Sequence, residues 1–204
     1  FCNEANNFSA LAGAFQSFDP ATYDCHNLPA YLIMDSQYRG RYPIASVMPG
    51  DPLPDWIVEA ADLPSLANAL GVDAEQLKAT VSAFNTHAEN AEDPEFGRGE
   101  NAYDRFYGDR SRPDAAATLG SVEVGPFFAV EINMGALGTN GGPRTNGVAQ
   151  VLDVYGDIIP GLYGAGNVIS NPTGSVYAGA GGTLGPTLTF GYIAGKSAAQ
   201  AGDH

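Results

Sequence analysis

The strongest chemical signal in the sequence comes from backbone groups in a neutral, glycine-rich stretch near the end of the chain. This stretch reads SVYAGAGGTLGPTLTFGYIAG, residues 175–195, and it contains no charged side chain. Pro186 is tolerated in the first turn of a helix, so a helix is predicted from about 186 to 200. The amides near Leu184 and Gly185, with the positive end of this helix, would stabilise negative charge on a planar cofactor. A reduced flavin carries such charge at N1 and at the C2 oxygen.

Two phosphate-binding motifs are excluded for this stretch. In AGKSA, the glycine that a P-loop requires five residues before its Gly-Lys pair is replaced by Phe190. GAGGTLG has the spacing G-x-G-x-x-x-G, and no acidic residue follows on a strand as a dinucleotide fingerprint requires. The first phosphate-binding turn is therefore predicted to be absent from this chain. A tight glycine turn that only packs stays open as the alternative.

Composition argues against several other classes of function. The formal net charge of -14 would repel nucleic acid. No apolar run approaches the length of a membrane span, and the three histidines lack the spacing of a metal site. No G-x-S-x-G motif of a serine hydrolase occurs. Cys2 and Cys25 are predicted to be free, which favours a reducing, cytoplasmic location.

The elements that would position such a site fall into two parts of different composition. Residues 1–134 mix charged and aromatic residues with helical periodicity, and short helices are predicted after caps at Asp62 and Asp73. The runs AYLIMD and PFFAVEI predict strands. The charged segment 92–114 is predicted to be a solvated loop. This half is predicted to be an α+β lobe.

The second part is rich in glycine and nearly uncharged. It holds 15 of the 26 glycines between residues 138 and 195, together with three charged residues. The pattern of residues 150–167, QVLDVYGDIIPGLYGAGN, predicts an antiparallel hairpin that runs directly into a glycine turn. In the helix that follows, the spacing of Gly191 and Gly195 predicts close packing against a neighbouring element.

Several segments together resemble a known family. They are GTNGGPRTNGVAQVLDVYGDIIPGLYGAGN and the glycine-rich stretch, with FCNEANNF, PAYLIMDSQYRGRY, FGRGENAYDRFYGD and PFFAVEINMGALGTNGG upstream. The sequence resembles the steroid-dehydrogenase-like branch of the FAD-dependent 3-ketosteroid Δ1-dehydrogenase and fumarate reductase superfamily. The fumarate reductase branch would place a His and an Arg in NPTGSVYAGAGG, and neither is present. The resemblance therefore favours a ketone substrate over a dicarboxylate.

The resemblance implies a division of the chain into two domains. Residues 1–135 would form an α+β substrate (cap) lobe, and residues 136–204 the C-terminal β-strands and helix of a Rossmann-like α/β FAD-binding domain. By the resemblance, the N-terminal nucleotide-binding part of that domain would be absent from this chain and would come from the same or a separate polypeptide. The implied cofactor is FAD, and the implied small-molecule partner is a ketone such as a steroid.

The resemblance also assigns roles to individual residues. Asn167 would contact the ribityl or pyrophosphate region of FAD, and Leu184 and Gly185 would offer backbone groups to the flavin ring. The complete set of implied cofactor-binding residues is Gly164, Ala165, Gly166, Asn167, Thr183, Leu184 and Gly185.

The implied catalytic pair is Tyr177 and Gly181, whose hydroxyl and amide would bind the substrate carbonyl oxygen. Removal of an α-proton and transfer of a β-hydride to flavin N5 build negative charge on this oxygen, so two fixed donors would lower the barrier. A loop tyrosine with only a backbone hydrogen bond is the alternative for Tyr177.

The substrate lobe departs from the family at Phe8, which stands where the family has a tyrosine base. Phenylalanine cannot accept a proton, so Tyr31, Tyr38 or a residue outside this chain would have to serve. Two alternatives therefore stay open. One is a flavin-dependent reductase of an activated C=C bond, and the other is a noncatalytic lobe that completes the FAD site of a partner chain.

Overall fold

The structure, a computed structural model, describes residues 2–5, 8–136, 138–174, 177 and 179–201, with only the backbone given for residues 8–10. The chain divides into two compact units, Phe1–Met134 and Gly135–His204. Both units combine helices and strands, as the predicted mixed content requires.

The elements of the first unit are α1 (Phe8–Phe15), β1 (Phe18–Asp19), β2 (Asp24–Cys25), β3 (Ala30–Asp35), α2 (Ser36–Arg41), β4 (Ile57–Ala60), α3 (Leu63–Leu70), α4 (Ala74–Asn90), α5 (Ala102–Tyr107), a 3-10 helix (Asp114–Ala117) and β5 (Phe127–Ile132). Those of the second unit are β6 (Gln150–Leu152), β7 (Ile158–Tyr163), a 3-10 helix (Gly166–Val168) and α6 (Leu184–Ala201). None of the described helices is long and apolar enough to cross a membrane.

The core of the first unit forms on the two faces of β5, the central strand of an antiparallel sheet with the order β3-β5-β4. Successive side chains of a strand point to opposite faces. Phe127 packs with Leu66 of α3 on one face, and Phe128 packs with Met34 and Ile57 on the other. The strands predicted in AYLIMD and PFFAVEI are confirmed as Ala30–Asp35 and Phe127–Ile132, and the structure pairs them in this sheet.

The two predicted helices are confirmed with their caps. The Asp62 side chain accepts a hydrogen bond from Ser65 N at 2.7 Å, and α3 ends at Gly71 with φ +69°. Asp73 caps α4 in the same way, with 2.8 Å to Gln76 N. These caps satisfy backbone groups that a helix leaves unpaired at its ends. The helices α1, α2 and α5 were not predicted, because each has only six to eight residues.

Asp35 joins the edge of the sheet to the segment that leads into β5. Its side chain is buried and accepts hydrogen bonds from the backbone N–H groups of Tyr38, Glu123 and Val124 at 3.0 to 3.1 Å. Burial raises the pKa of Asp35, but these bonds and one from Gln37 outweigh it and leave the pKa below the ordinary value. The carboxylate thus caps α2 and fixes residues 123–124 with the same two oxygen atoms.

We expect Asp35→Ala to lower the free energy of unfolding by about 2 to 4 kcal/mol, since a cap is lost and two further backbone amides lose their hydrogen bonds to a charged group. Asp62→Ala is the matched control, because it removes a cap that serves only its own helix, and it should cost clearly less. Urea unfolding of both variants checks this. Equal losses would show that the link to residues 123–124 contributes nothing.

The segment 92–114 differs from the predicted solvated loop. It contains α5, and the side chains of Asp93, Arg98 and Asp104 are buried within it. Arg98 Nη1 lies 2.7 Å from Asp93 Oδ2. A charged composition was a poor guide at these three positions, because Arg98 and Asp93 neutralise each other inside the unit and Asp104 accepts hydrogen bonds from the Gly99 N–H and the Asn101 amide.

Asp109, near the end of this segment, accepts hydrogen bonds from the Ser111 hydroxyl, the Tyr42 hydroxyl and the Ser111 N–H. These bonds lower its pKa from 3.8 to about 2. A depressed carboxyl pKa stabilises the folded protein above the ordinary pKa and loses that effect as the pH falls through the folded value.

The stability difference between the protein and Asp109→Asn should therefore be full at about pH 5 and should shrink between about pH 4 and pH 2. Tyr42→Phe removes one donor and so raises the folded-state pKa of Asp109, which means that its acid-dependent loss should be smaller and should be complete at a higher pH. Urea unfolding along a pH series measures both. A difference that stays constant across this range would contradict the assignment.

The hairpin predicted in the second unit is confirmed, with β6 and β7 antiparallel and Gln150 opposite Tyr163. Helix α6 begins two residues before Pro186, which still lies in the first turn, where no internal N–H bond is required. A Cβ built at Gly191 or Gly195 meets no described neighbour within 4 Å. The close packing predicted for these glycines is therefore not made within the described residues.

Candidate functional site

The site in the second unit begins where β7 ends. The Gly164 N–H donates to the Ala149 carbonyl at 3.0 Å, which keeps the chain against β6 for one more residue. A Cβ at Gly164 would lie 2.5 Å from Ile169 Cγ2, so no side chain fits there. Ala165 is extended and leads into the 3-10 helix at Gly166. The turn that was predicted to bind the cofactor is thus present in the backbone, and crowding restricts position 164 to glycine.

Gly166 lies against the first turn of α6. Its φ is +74°, and a Cβ there would come within 2.7 Å of Thr187 Oγ1. Thr187 is itself fixed, because its hydroxyl donates to the Thr183 carbonyl at 2.7 Å. This contact brings together the two predicted cofactor-binding segments, 164–167 and 183–185.

Asn167 carries an unused hydrogen-bond acceptor. Its main-chain carbonyl accepts from Gly141 N at 3.0 Å, but its side-chain Oδ1 is buried and has no partner among the described residues. A buried polar atom without a partner destabilises a protein, and native structures contain few of them. The arrangement is suited to a ligand that donates a hydrogen bond to this oxygen.

Tyr177 and Gly181 precede α6 in the chain, and residues 180–183 form a turn that leads into the helix. Tyr177 is half-buried, and Gly181 has φ +88° with open space beside it. The Gly181 carbonyl accepts from Gly185 N at 2.8 Å. The Gly185 amide therefore already has an acceptor within the protein, and of the predicted pair of amides it is Leu184 N–H that stands at the start of the helix.

The candidates in the first unit occupy different elements. Phe8 is the first residue of α1. The Tyr31 hydroxyl donates to the Leu70 carbonyl at 3.4 Å, at the end of α3. Burial raises the pKa of Tyr38, which makes its phenolate harder to form. That Tyr31 or Tyr38 serves as the base in place of the family's tyrosine stays a prediction.

Sequence reasoning missed four residues that shape the site in the second unit. They are Asn140, Gly142, Asn171 and Thr187. The only local signal for the first three was their position in the turn-forming dipeptides Asn-Gly, Gly-Pro and Asn-Pro. Such dipeptides indicate turns but not which turns lie together.

A family model described as FAD binding domain matches residues 16–184. The chain belongs to the FAD-binding domain family. FAD, the predicted cofactor, is the ligand of this family. The side-chain oxygen of Asn167, unpaired among the described residues, and the glycine turn beside Thr187 fit such a ligand.

Matches to relatives in the family cover most of the length of this chain. It is 46% identical to 4-oxocyclohexanecarboxylate 2-dehydrogenase of Sinomonas cyclohexanicum over 98% of the chain and 35% of that protein. It is 45% identical to 3-oxosteroid 1-dehydrogenase of Mycolicibacterium smegmatis over 82% of the chain and 30% of that protein. The chain thus spans about a third of the length of these curated relatives.

A solved structure supports the same grouping. The 3-ketosteroid delta1-dehydrogenase of Sterolibacterium denitrificans, in complex with 1,4-androstadiene-3,17-dione, superposes with a TM-score of 0.78 at 38% identity. The match covers 85% of this chain and 32% of that one. The resemblance to the steroid-dehydrogenase-like branch is confirmed.

The Gly166–Thr187 contact leads to a test of stability. We expect Gly166→Ala to lower the free energy of unfolding by about 2 to 4 kcal/mol, because a positive φ and a steric overlap combine. Gly161→Ala is the matched control, since Gly161 has the same φ of +74° but no atom within 4 Å of its built Cβ. It should lose about 1 to 2 kcal/mol, from backbone strain alone.

The overlap can be relieved separately. Adding Thr187→Ala to Gly166→Ala should restore part of the lost stability, because the crowding atom is removed. Thermal unfolding of the double variant measures this. No recovery would mean that the cost at Gly166 is conformational only.

Proposed function

We propose that the chain is part of an FAD-dependent oxidoreductase that introduces a double bond next to the ketone of a cyclic substrate. The observation that carries this proposal is the Tyr177–Gly181 turn, which leads directly into α6 beside the glycine turn 164–167. In this proposal residues 1–135 are the substrate lobe, and residues 136–204 are the returning part of a Rossmann-like FAD-binding domain. The rest of that domain lies in the same or another polypeptide, in the cytoplasm.

The cofactor would be held mainly by backbone groups and one amide. Asn167 Oδ1 would accept a hydrogen bond from a hydroxyl of the ribityl chain, which removes the cost of its unsatisfied burial. The Leu184 N–H and the positive end of α6 would face the flavin ring. When bound, FAD supplies the hydride acceptor at N5. Gly164, Ala165, Gly166 and Thr183 would let the backbone approach closely, and Gly185 would close the first turn.

The substrate ketone would be bound by the Tyr177 hydroxyl and the Gly181 N–H. Both groups donate hydrogen bonds, and the carbonyl oxygen gains negative charge as the α-proton leaves. Two fixed donors stabilise this charge more than the neutral ketone, which lowers the barrier. The positive φ of Gly181 supports this role, because it turns the peptide into a conformation that other residues rarely adopt.

The substrate class follows from what the relatives' names share. One relative acts on 4-oxocyclohexanecarboxylate and another on a 3-oxosteroid. In both, a ketone is part of a six-membered ring that carries hydrogen on the adjacent carbons. We therefore propose a six-membered cyclic ketone as the substrate of this protein.

Phe8 favours a second candidate function. A phenylalanine in place of the family's tyrosine base removes the group expected to take the α-proton. Reduction of an activated C=C bond also needs a proton at this carbon, but water or another acid protonates the strongly basic enolate more readily than a weak base removes a proton from a ketone. The two candidate functions predict that different directions of the reaction are faster. The holoenzyme is assayed with saturated cyclic ketones and an artificial electron acceptor, and with the matching enones and reduced flavin. Faster oxidation supports the dehydrogenase, and faster reduction supports the reductase.

The role of Tyr177 can be tested in the same holoenzyme. We expect Tyr177→Phe to lower kcat at least about tenfold, because one donor to the charged oxygen is lost. Tyr155→Phe is the control, since Tyr155 lies exposed between β6 and β7 and should leave kcat unchanged. Unchanged turnover in Tyr177→Phe would overturn the proposed carbonyl site.

A further inference from the structure

The residues that precede Tyr177 are held by another segment of the second unit. The Gly141 N–H donates to the Asn167 carbonyl at 3.0 Å, and the Ser170 N–H donates to the Pro143 carbonyl at 2.9 Å. Between these bonds, a Cβ at Gly142 would overlap the Val168 carbonyl oxygen. The two stretches, 140–143 and 167–171, therefore run side by side with backbone against backbone.

Two asparagines extend this contact into the loop. The Asn171 side chain is buried, and its Nδ2 donates to Asn140 Oδ1 at 3.0 Å. Its Oδ1 accepts from the backbone N–H and the hydroxyl of Thr173 at 3.0 and 2.9 Å. Asn140 Nδ2 donates in turn to the Gly174 carbonyl at 3.4 Å. Both polar atoms of Asn171 are thus engaged.

The loop that carries Tyr177 and Gly181 is consequently anchored on both sides. Upstream, Asn171 and Asn140 fix residues 171–174, three positions before Tyr177. Downstream, the bond from Gly185 N to the Gly181 carbonyl ties the turn to α6. Donors that stabilise a developing charge lower the barrier only if their positions are fixed before the reaction.

We propose that Asn140 and Asn171 are positioning residues that hold the carbonyl-binding turn of the active site in place. The proposal rests on the proposed role of Tyr177. It concerns the orientation of the Asn171 amide, whose nitrogen must face Asn140 and whose oxygen must face Thr173. In this proposal neither asparagine contacts the substrate.

The direction of the Asn171–Asn140 bond gives a matched pair of nearly isosteric variants. Asn171→Asp replaces the donating nitrogen with an oxygen that faces Asn140 Oδ1. Asn140→Asp keeps an acceptor for Asn171 and loses only the long contact to Gly174. Both variants add one negative charge to the same place, so a difference between them reports the direction of the bond.

The test uses the intact FAD-loaded enzyme with a cyclic ketone substrate at about pH 8. We expect Asn171→Asp to lower kcat about tenfold or more while FAD affinity stays within about twofold. Asn140→Asp should keep kcat within about threefold of the unchanged enzyme. Equal losses in the two variants would overturn the proposal. If Asn171→Asp does not fold, Asn140→Leu, which also removes the bond, takes its place against Asn140→Asp.

A pH profile separates positioning from a general loss of structure. The new carboxyl at position 171 would be buried opposite an amide oxygen, which raises its pKa. Once protonated it can donate to Asn140 Oδ1 again. The kcat of Asn171→Asp relative to the unchanged enzyme should therefore recover as the pH is lowered. A ratio that does not change with pH would count against the role of the bond.

A double-mutant cycle distinguishes failure of this inference from failure of the proposed function. If the asparagines act through Tyr177, Asn171→Asp should change kcat by less than about threefold in the Tyr177→Phe background. Full additivity would overturn the positioning role while the carbonyl site stands. If Tyr177→Phe itself leaves kcat unchanged, the proposed function fails, and this inference fails with it.

Discussion

A guanidinium that is fully removed from water must be matched by oxygen atoms, and Arg98 finds them in two distant parts of the first unit. Its side chain bonds to Asp93 at 2.7 Å, and it reaches Glu4 at 2.9 Å and the Cys2 carbonyl at 2.8 Å. The rings of Phe96 and Phe84 lie 4.8 and 5.6 Å from its central carbon. Breaking a buried ion pair leaves an uncompensated charge, so each partner depends on the others. The start of the chain is thereby fixed to residues that are 94 positions away, and α1 follows directly from it.

The second unit meets a different constraint, which is close approach of backbone to backbone. Gly142, Gly164 and Gly166 each lie where an added Cβ would overlap a neighbouring atom. The absence of side chains lets the loop before α6, the end of β7 and the segment 140–143 come together around Asn167. This explains why the unit is almost without charge. Its polar groups are peptide N–H and C=O groups and a few amides, and these suit a large, mostly neutral ring system better than ionised side chains would.

The surface of the second unit agrees with the proposal that more of the FAD-binding domain surrounds it. Ile158 and Leu162 of β7 and Leu184, Leu188 and Tyr192 of α6 are all exposed. On α6, these side chains recur every four residues and so lie on one face, and exposed apolar faces mark surfaces that bind other protein elements or ligands. The open space beside Gly191 and Gly195 has the same interpretation. The spacing of these glycines on the helix was recognised correctly, while a neighbour for them was not found among the described residues.

Local chemistry accounts for what the sequence by itself determined. Asp62, Asp73 and Gly71 act within a few residues of their own position, so the ends of α3 and α4 could be predicted. Short runs of apolar, β-branched and aromatic residues predicted β3 and β5, and glycine content together with family motifs led to the prediction that the second unit contributes to an FAD site. The tertiary structure alone decided which distant groups meet. The burial of Arg98, the contact of Gly166 with Thr187 and the bond between Asn171 and Asn140 join positions that no local pattern relates. Their partners are chosen by packing, which depends on the whole chain and not on the spacing of neighbours.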